Sequence, residues 1–278
     1  MTNLIDGRAL ALSIRSALPA RIKRLPRIPG LGVILIGNDK ASELYVKLKK
    51  RAADEAGILF NLNTFPAETD AETIQKRIQE LNGDPRIDAA LIQLPLPSHL
   101  NEQTIIKNIN PEKDVDGFHP VNIARFLNGE RPDPPSLIEG ILRLIDSTSV
   151  VIQGLRSTIV ARKSVFTQCL LHALKVRGAE AIEVPADGLH HNATVISDIV
   201  IVAAGRPKLI TGDDCKPGSI VIDVGINSLP NGNVVGDVER SSAEKIVRWL
   251  TPVPGGVGPM TIAMLLENAV RLAERNQS

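Results

Sequence analysis

The chain has 278 residues, with 32 Lys and Arg against 31 Asp and Glu, a formal net charge of +1. That balance argues against a nucleic-acid partner held by bulk charge, which needs a basic excess or stripe. Two cysteines, Cys169 and Cys215, are too few for a disulfide framework or a four-ligand zinc site, and no apolar run reaches the ~18 residues that suggest a membrane span. Only 3% of the residues are aromatic, so the core is aliphatic. The first residues lack a basic stretch followed by an apolar one, and the expectation is a cytoplasmic protein.

In chain order, residues 31–37 (LGVILIG) read as a buried strand closed by Gly37. A helix is expected over 42–57 with Gly57 at its end, then a strand at 58–65. Residues 70–82 read as a helix with Asp70 as N-cap, and 88–93 as a strand stopped by Pro95 and Pro97. Strands alternating with helices imply parallel pairing through right-handed crossovers. Residues 108–135 are rich in loops and prolines and mark a domain boundary. The alternation then restarts, with strands at 149–153, 179–184, 198–203 and 219–224 and a helix at 158–176. Arg248 and Trp249 are expected on a helix before the Pro- and Gly-rich run 251–259, and a last helix covers 260–275. The fold class is therefore α/β with two lobes. An N-terminal catalytic lobe (1–120 plus 251–278) is followed by a Rossmann-like parallel-sheet lobe (135–250), with a cleft expected between them.

Four segments carry chemical potential. Tyr45 and Lys49 are four residues apart and share a helix face, which suits stacking a flat ring beside an amine. On spacing alone, a basic amphipathic helix with a surface Tyr is the favoured reading. Gln93 falls at the carboxyl end of a strand, where open α/β sheets bind ligands. The run PEKDVDGFHP (111–120) holds Asp114 and Asp116 in a loop that suits a cation or a donor-rich heterocycle, or is a plain turn. The glycines of TPVPGGVGPMT (251–261) let backbone approach a ligand closely. The pair His190-His191 reads as loop, since adjacent side chains diverge and a metal needs a third ligand. Cys169 reads as core, and nothing near Cys215 suggests an activated nucleophile.

Taken together, YVKLK, IQLPLP, KDVDGFHP, AAGRP, VIDVGIN, GDV and TPVPGGVGPMT stand in the order found in the bifunctional methylenetetrahydrofolate dehydrogenase/cyclohydrolase family, the FolD type, which this chain resembles over nearly its whole length. The resemblance implies a folate substrate, one-carbon chemistry at 5,10-methylene- or 5,10-methenyl-tetrahydrofolate, and no metal. It implies Lys49 as the catalytic amine, oriented by Gln93, with Asp116 gripping the pterin and Tyr45 stacking on it. Pro254, Gly255 and Gly256 would line the substrate site. Arg156, Ser157 and Ile226 would meet NADP. A homodimer through the Rossmann-like lobes is expected, with no nucleic-acid or membrane partner.

The dinucleotide half departs from the family pattern. In VVIQGLRSTIVARK (150–163), Leu155 stands before Arg156-Ser157 where the family has Gly, Ala161 replaces a second Gly and Lys163 a Pro. Pro135-Ser136-Leu137-Ile138 replaces PCTP, and VPADGLHHN (184–192) lacks the usual Cys-His-Ser. A side chain at a phosphate-facing turn blocks the backbone N–H groups. The resulting expectation is a folate enzyme whose hydride transfer is weakened or lost, leaving cyclohydrolase action or one-carbon transfer to another acceptor. The alternatives are the full bifunctional enzyme with NADP and a non-catalytic folate-binding protein.

Overall fold

The structure is a computed structural model and describes residues 2–131, 133–187 and 191–277, the side chain of His191 excepted. In chain order its elements are β1 (Asn3–Leu4), α1 (Gly7–Ile22), β2 (Gly30–Ile36), α2 (Lys40–Ala56), β3 (Leu59–Phe65), α3 (Ala71–Gly83), β4 (Ala89–Ile92), α4 (Glu102–Ile106), α5 (Pro120–Leu127), α6 (Ser136–Asp146), β5 (Arg156–Ala161), α7 (Val165–Val176), β6 (Glu180–Pro185), α8 (His191–Thr194), β7 (Ile199–Ala203), β8 (Ile220–Asp223), β9 (Asn227–Ser228), β10 (Val234–Val235), α9 (Arg240–Ala243), β11 (Trp249–Leu250) and α10 (Val257–Asn276). The chain divides into two units: residues 1–11 with 137–261, and residues 12–136 with 262–278.

The second of these, the N-terminal unit, is built on a parallel sheet in the order β3-β2-β4. β2 is the central strand and is buried on both faces, which its unbroken apolar run GLGVILI requires. One core lies between this sheet and α2 with the C-terminal helix: Leu31, Val33, Ala53, Leu91, Leu266 and Val270 meet there. A second lies on the α3 side, where Ile34, Ile74, Ile78 and Ile92 pack. Asp39 caps α2 by accepting from Ser42 N at 2.7 Å, and Asp70 caps α3 by accepting from Thr73 N at 2.7 Å. Asp88, fully buried at the start of this sheet, is held by both Arg27 nitrogens at 2.6 and 2.7 Å and by the Gly30 N–H at 2.9 Å.

The other unit holds a parallel sheet in the order β1-β11-β8-β7-β5-β6. Its strands IVIVA, IVID and STIVA are β-branched and buried, as a sheet covered on both faces demands. Val160, Val200, Val202 and Val221 centre its core.

Three expectations need correction. Residues 149–153 form no strand: the Gly154 backbone has φ +76°, Leu155 N–H closes a turn on Ile152 O, and the chain then enters the sheet at Arg156. The helix expected from 158 starts at Val165, because Ser164 and Thr167 form a reciprocal capping box there. Arg248 and Trp249 are not helical. Arg248 N–H bonds Ser219 O, and Trp249 opens β11 beside β8.

The domain boundaries shift too. Residues 1–11 and 251–261 belong with the Rossmann-like sheet rather than with the N-terminal lobe, because β1 pairs with β11 and Gly7 packs on the Gly256 backbone. A Cβ at Gly7 would stand 1.9 Å from Gly256 O, so this approach needs a glycine at position 7, while a Cβ at Gly256 would stand 2.6 Å from Thr251 Cβ.

Candidate active site

Tyr45, Lys49, Gln93 and Asp116 all fall in the N-terminal unit. α2 carries Tyr45 and Lys49 one turn apart, and β4 delivers Gln93 one residue past its carboxyl end, where Gln93 N–H continues the ladder to Ile34 O at 2.9 Å. Lys49 Nζ donates to Gln93 Oε1 at 2.9 Å. Gln93 Nε2 donates to Leu94 O at 2.7 Å, which fixes the amide so that its oxygen faces the lysine. Desolvation pulls the Lys49 pKa below the ordinary lysine value, and the Asp116 carboxylate opposes this. The reverse holds at Asp116: burial pushes its pKa up, the lysine pulls it down and Asp114 pushes it up. Burial also raises the Tyr45 pKa.

The loop 111–120 divides its two aspartates between structure and site. Asp114 is buried and accepts from Gly117 N at 3.1 Å, His119 N at 2.8 Å and Asn122 Nδ2 at 2.9 Å. Its oxygens are spent on the loop. Asp116 is positioned through its backbone, whose carbonyl accepts from Ser136 N at 3.0 Å, so its carboxylate remains for a ligand. Among the described residues no cluster of three or more His, Cys, Asp and Glu is arranged to hold a metal. His190 of the expected loop pair lies outside the described residues, and His191 opens α8. Both cysteines are buried. Burial pushes the Cys169 thiol up to about 11 and, with Asp214 nearby, the Cys215 thiol up to about 12, so neither is an activated nucleophile.

The remaining expected residues belong to the unit with the larger sheet. Pro254 is exposed, while Gly255 and Gly256 are buried within the loop between β11 and α10, where Thr251, Arg8 and Gly7 surround them. Ile226 lies three residues beyond β8 and is about half exposed, at 48%.

Arg156 and Ser157 do not stand at a cofactor turn. They open β5, at the amino edge of the sheet, where Arg156 N–H bonds Asp198 Oδ2 at 3.0 Å, the Arg156 guanidinium lies 3.8 Å from Glu180, and Ser157 is buried. Open parallel sheets bind dinucleotides at the opposite, carboxyl edge. Leu155 therefore blocks no phosphate turn, and the residues that follow β5 are Arg162, Lys163 and Ser164.

The carboxyl edge is organised by carboxylates that the sequence reading passed over. Asp237 accepts from the backbone N–H groups of Ala204, Gly205 and Arg206 at 2.6, 2.9 and 2.8 Å and from Asn227 Nδ2 at 2.8 Å. Asp223 accepts from Gly225, Asp237 and Val238 N–H, yet burial still pushes its pKa up to about 6. The motifs AAGRP, VIDVGIN and GDV are thus one interlocked structure. Its residues fit a dinucleotide. Arg162 and Lys163 are exposed cations after β5, and Gly205 has φ +63° with nothing within 4 Å of where a Cβ would stand. A spacing signal was available for this edge: Ser164 and Thr167, three apart, announce where α7 begins and so where β5 must end.

A half-buried lysine held by an amide in one unit, and a parallel sheet with a cationic carboxyl edge in the other, define a two-unit α/β enzyme of the dinucleotide-binding class. Comparison with known proteins is specific. The model of the tetrahydrofolate dehydrogenase/cyclohydrolase catalytic domain matches residues 5–116, and that of the NAD(P)-binding domain of the same family matches residues 135–277. The chain belongs to this family and is an enzyme of it. It is 42% identical over 277 residues to the bifunctional protein FolD of Geobacillus kaustophilus, covering 98% of this chain and 97% of the relative. It is 40% identical over 278 residues to FolD of Polynucleobacter asymbioticus, with the same coverages. Among solved structures it resembles bifunctional FolD from Campylobacter jejuni, with TM-score 0.95, 36% identity and 99% of each chain covered. It also resembles the Trypanosoma brucei enzyme complexed with NADP and an inhibitor, with TM-score 0.93, 33% identity, and 99% of this chain and 98% of that one covered. No described helix is long and apolar enough to cross a membrane.

Proposed function

We propose that the chain is a bifunctional methylenetetrahydrofolate dehydrogenase and methenyltetrahydrofolate cyclohydrolase with Lys49 as its acid–base group. The observation that carries this reading is the Lys49 Nζ to Gln93 Oε1 hydrogen bond of 2.9 Å beside the Asp116 carboxylate. Between the expected loss of hydride transfer and the full bifunctional alternative, the matches to bifunctional relatives and to the NAD(P)-binding domain favour the alternative. The placement of Leu155, Arg156 and Ser157 at the amino edge removes one of the arguments for loss.

In this reading Asp116 accepts hydrogen bonds from the amino and ring N–H groups of the pterin, being an acceptor-only group against a donor edge. Tyr45 stacks on the same ligand. Desolvation of Lys49 lowers its pKa and so raises the share of neutral amine at a given pH. The neutral amine takes a proton from the water that adds to the methenyl carbon. The resulting ammonium returns a proton to N5 as the carbon–N5 bond breaks, and the hydroxyl of the adduct releases its proton to solvent as its C=O forms, leaving the formyl group on N10. Gln93 holds Nζ in place through both protonation states, because its carbonyl accepts from either. A nicotinamide dinucleotide, when bound, accepts the hydride that converts the methylene bridge to methenyl. Arg162 and Lys163 hold its phosphates, Ile226 and the 254–256 loop contribute apolar and backbone surface, and the chain works as a cytoplasmic homodimer.

The test has two arms on purified protein. One follows nicotinamide reduction with methylenetetrahydrofolate and NAD or NADP. The other follows loss of methenyltetrahydrofolate without a dinucleotide. Turnover in both supports the bifunctional reading. Hydrolysis alone returns the chain to a hydrolase without hydride transfer, and silence in both leaves a binding protein. Light scattering at micromolar concentration checks the dimer.

A further inference from the structure

The carboxyl edge carries one residue that neither the family motifs nor the proposed chemistry uses. The sheet continues one step past β5 and β6: Ala186 N–H donates to Ala161 O at 3.2 Å. The residues that follow these two, Arg162 and Asp187, therefore leave the sheet from neighbouring backbone positions. Asp187 is two residues beyond β6, and its side chain is 76% exposed. Its Oδ1 lies 3.3 Å from Arg206 Nη1, and the same nitrogen donates to Ala186 O at 3.0 Å. Arg206 is in turn held through its backbone N–H by Asp237. The end of β7 thus braces the acidic residue at the end of β6.

Topology gives this position a meaning. In a β-α-β unit that binds a dinucleotide, the turn after the first strand, at the helix N-terminus, meets the pyrophosphate, and an acidic residue after the second strand accepts from the ribose 2′-hydroxyl. Here β5, α7 and β6 are that unit, the cations Arg162 and Lys163 follow the first strand, and the acid follows the second. A carboxylate favours a hydroxyl donor and opposes a phosphate dianion. Arg206, the cation beside Asp187, already has its Nη1 engaged by Ala186 O and by the carboxylate itself.

We propose that Asp187 is a specificity-determining residue that reads the adenosine 2′-hydroxyl, so that this enzyme prefers NAD over NADP. The proposal rests on the dehydrogenase reading and deepens it. The test is calorimetric titration of the full chain with NAD and with NADP, repeated on Asp187→Ser, alongside dehydrogenase kcat/KM for both dinucleotides. The unsubstituted protein is expected to bind NAD at least fivefold more tightly. The serine variant is expected to move the affinity ratio at least tenfold toward NADP, mainly by tighter NADP binding. Asp187 is exposed, so the variant is expected to fold, and its melting temperature checks this. An unsubstituted enzyme that binds NADP tenfold better, or a ratio unmoved within twofold in the folded variant, overturns the proposal. Binding of neither dinucleotide overturns both the proposal and the dehydrogenase reading, and hydrolysis of methenyltetrahydrofolate by the same sample then shows whether the folate half still stands.

Discussion

Asp114 and Asp116 sit two residues apart in one loop and are turned to opposite uses. Asp114 points both oxygens at the loop's own N–H groups and at Asn122, whereas Asp116 shares a field with the Lys49 amine. The first aspartate is the reason the second is held still.

Replacing Asp114 with Asn keeps the shape but exchanges an acceptor oxygen for an NH2 group that meets backbone donors. The loss of one buried hydrogen bond plus the new donor–donor contact is expected to cost about 1–3 kcal/mol. Urea denaturation reads this as a lower midpoint at unchanged slope. A midpoint identical to the parent's means that the loop does not depend on Asp114.

Lys49→Met is expected to lower hydrolysis of methenyltetrahydrofolate by about 10²–10⁴-fold, the range for loss of a general acid–base group. Folate binding should stay within about tenfold, or ~1.4 kcal/mol, since Asp116 and Tyr45 remain. Stopped-flow hydrolysis and equilibrium titration separate the two. Full hydrolysis in the variant removes Lys49 from the mechanism.

The pH dependence has a definite sign. In the proposed mechanism hydrolysis uses the neutral amine, so the rate is expected to rise with pH through the lysine's lowered pKa and to level off below the ordinary value near 10.5. Asp116 raises that pKa; Asp116→Asn removes the anion and should move the rising limb to lower pH. Measuring kcat at saturating folate isolates this from weaker binding. A limb that moves to higher pH contradicts the proposed coupling. Stability follows the same linkage. Between the lowered and the ordinary pKa the folded chain binds fewer protons than the unfolded one, so the Lys49 contribution to stability increases with pH across that window.

Arg27→Ala leaves the fully buried Asp88 carboxylate with only backbone and amide donors. Breaking a buried pair from one side is strongly destabilising, and the partial exposure of Arg27 moderates it to about 2–3 kcal/mol. Thermal unfolding of the variant should show a clear drop in Tm. Removing both partners, with Asp88→Asn added, should recover part of the loss, because no buried charge is then left uncompensated.

How far the sequence was legible depended on whether a local signal was decisive. β2, β3 and β4 fall within two residues of the expected strands, because each apolar run ends at a Gly, a Pro or a capping Asp. The grouping of Lys49 with Gln93 and with the Asp116 carboxylate was legible because their motifs stand in family order. The cofactor side was misplaced for a physical reason. VVIQ and STIVA are both β-branched runs flanking Gly154, and only the capping box at Ser164 shows which of them is in the sheet. β1 is two residues long, too short for any periodicity, and its place is fixed by a partner almost 250 positions away. The division of labour between Asp114 and Asp116 depends on which N–H groups the loop folds around them, and composition carries none of that.

The interleaving of the two units bears on how the protein can be dissected genetically. Residues 1–11 complete a sheet whose other strands come after residue 155. A recombinant fragment started at residue 137 would bare the Trp249–Leu250 backbone as an open edge, a template for aggregation, and would strip Gly7 from the Gly256 carbonyl. Producing this half by itself calls for a circularly permuted gene in which the eleven opening codons are joined behind the rest by a short linker, rather than for a simple truncation.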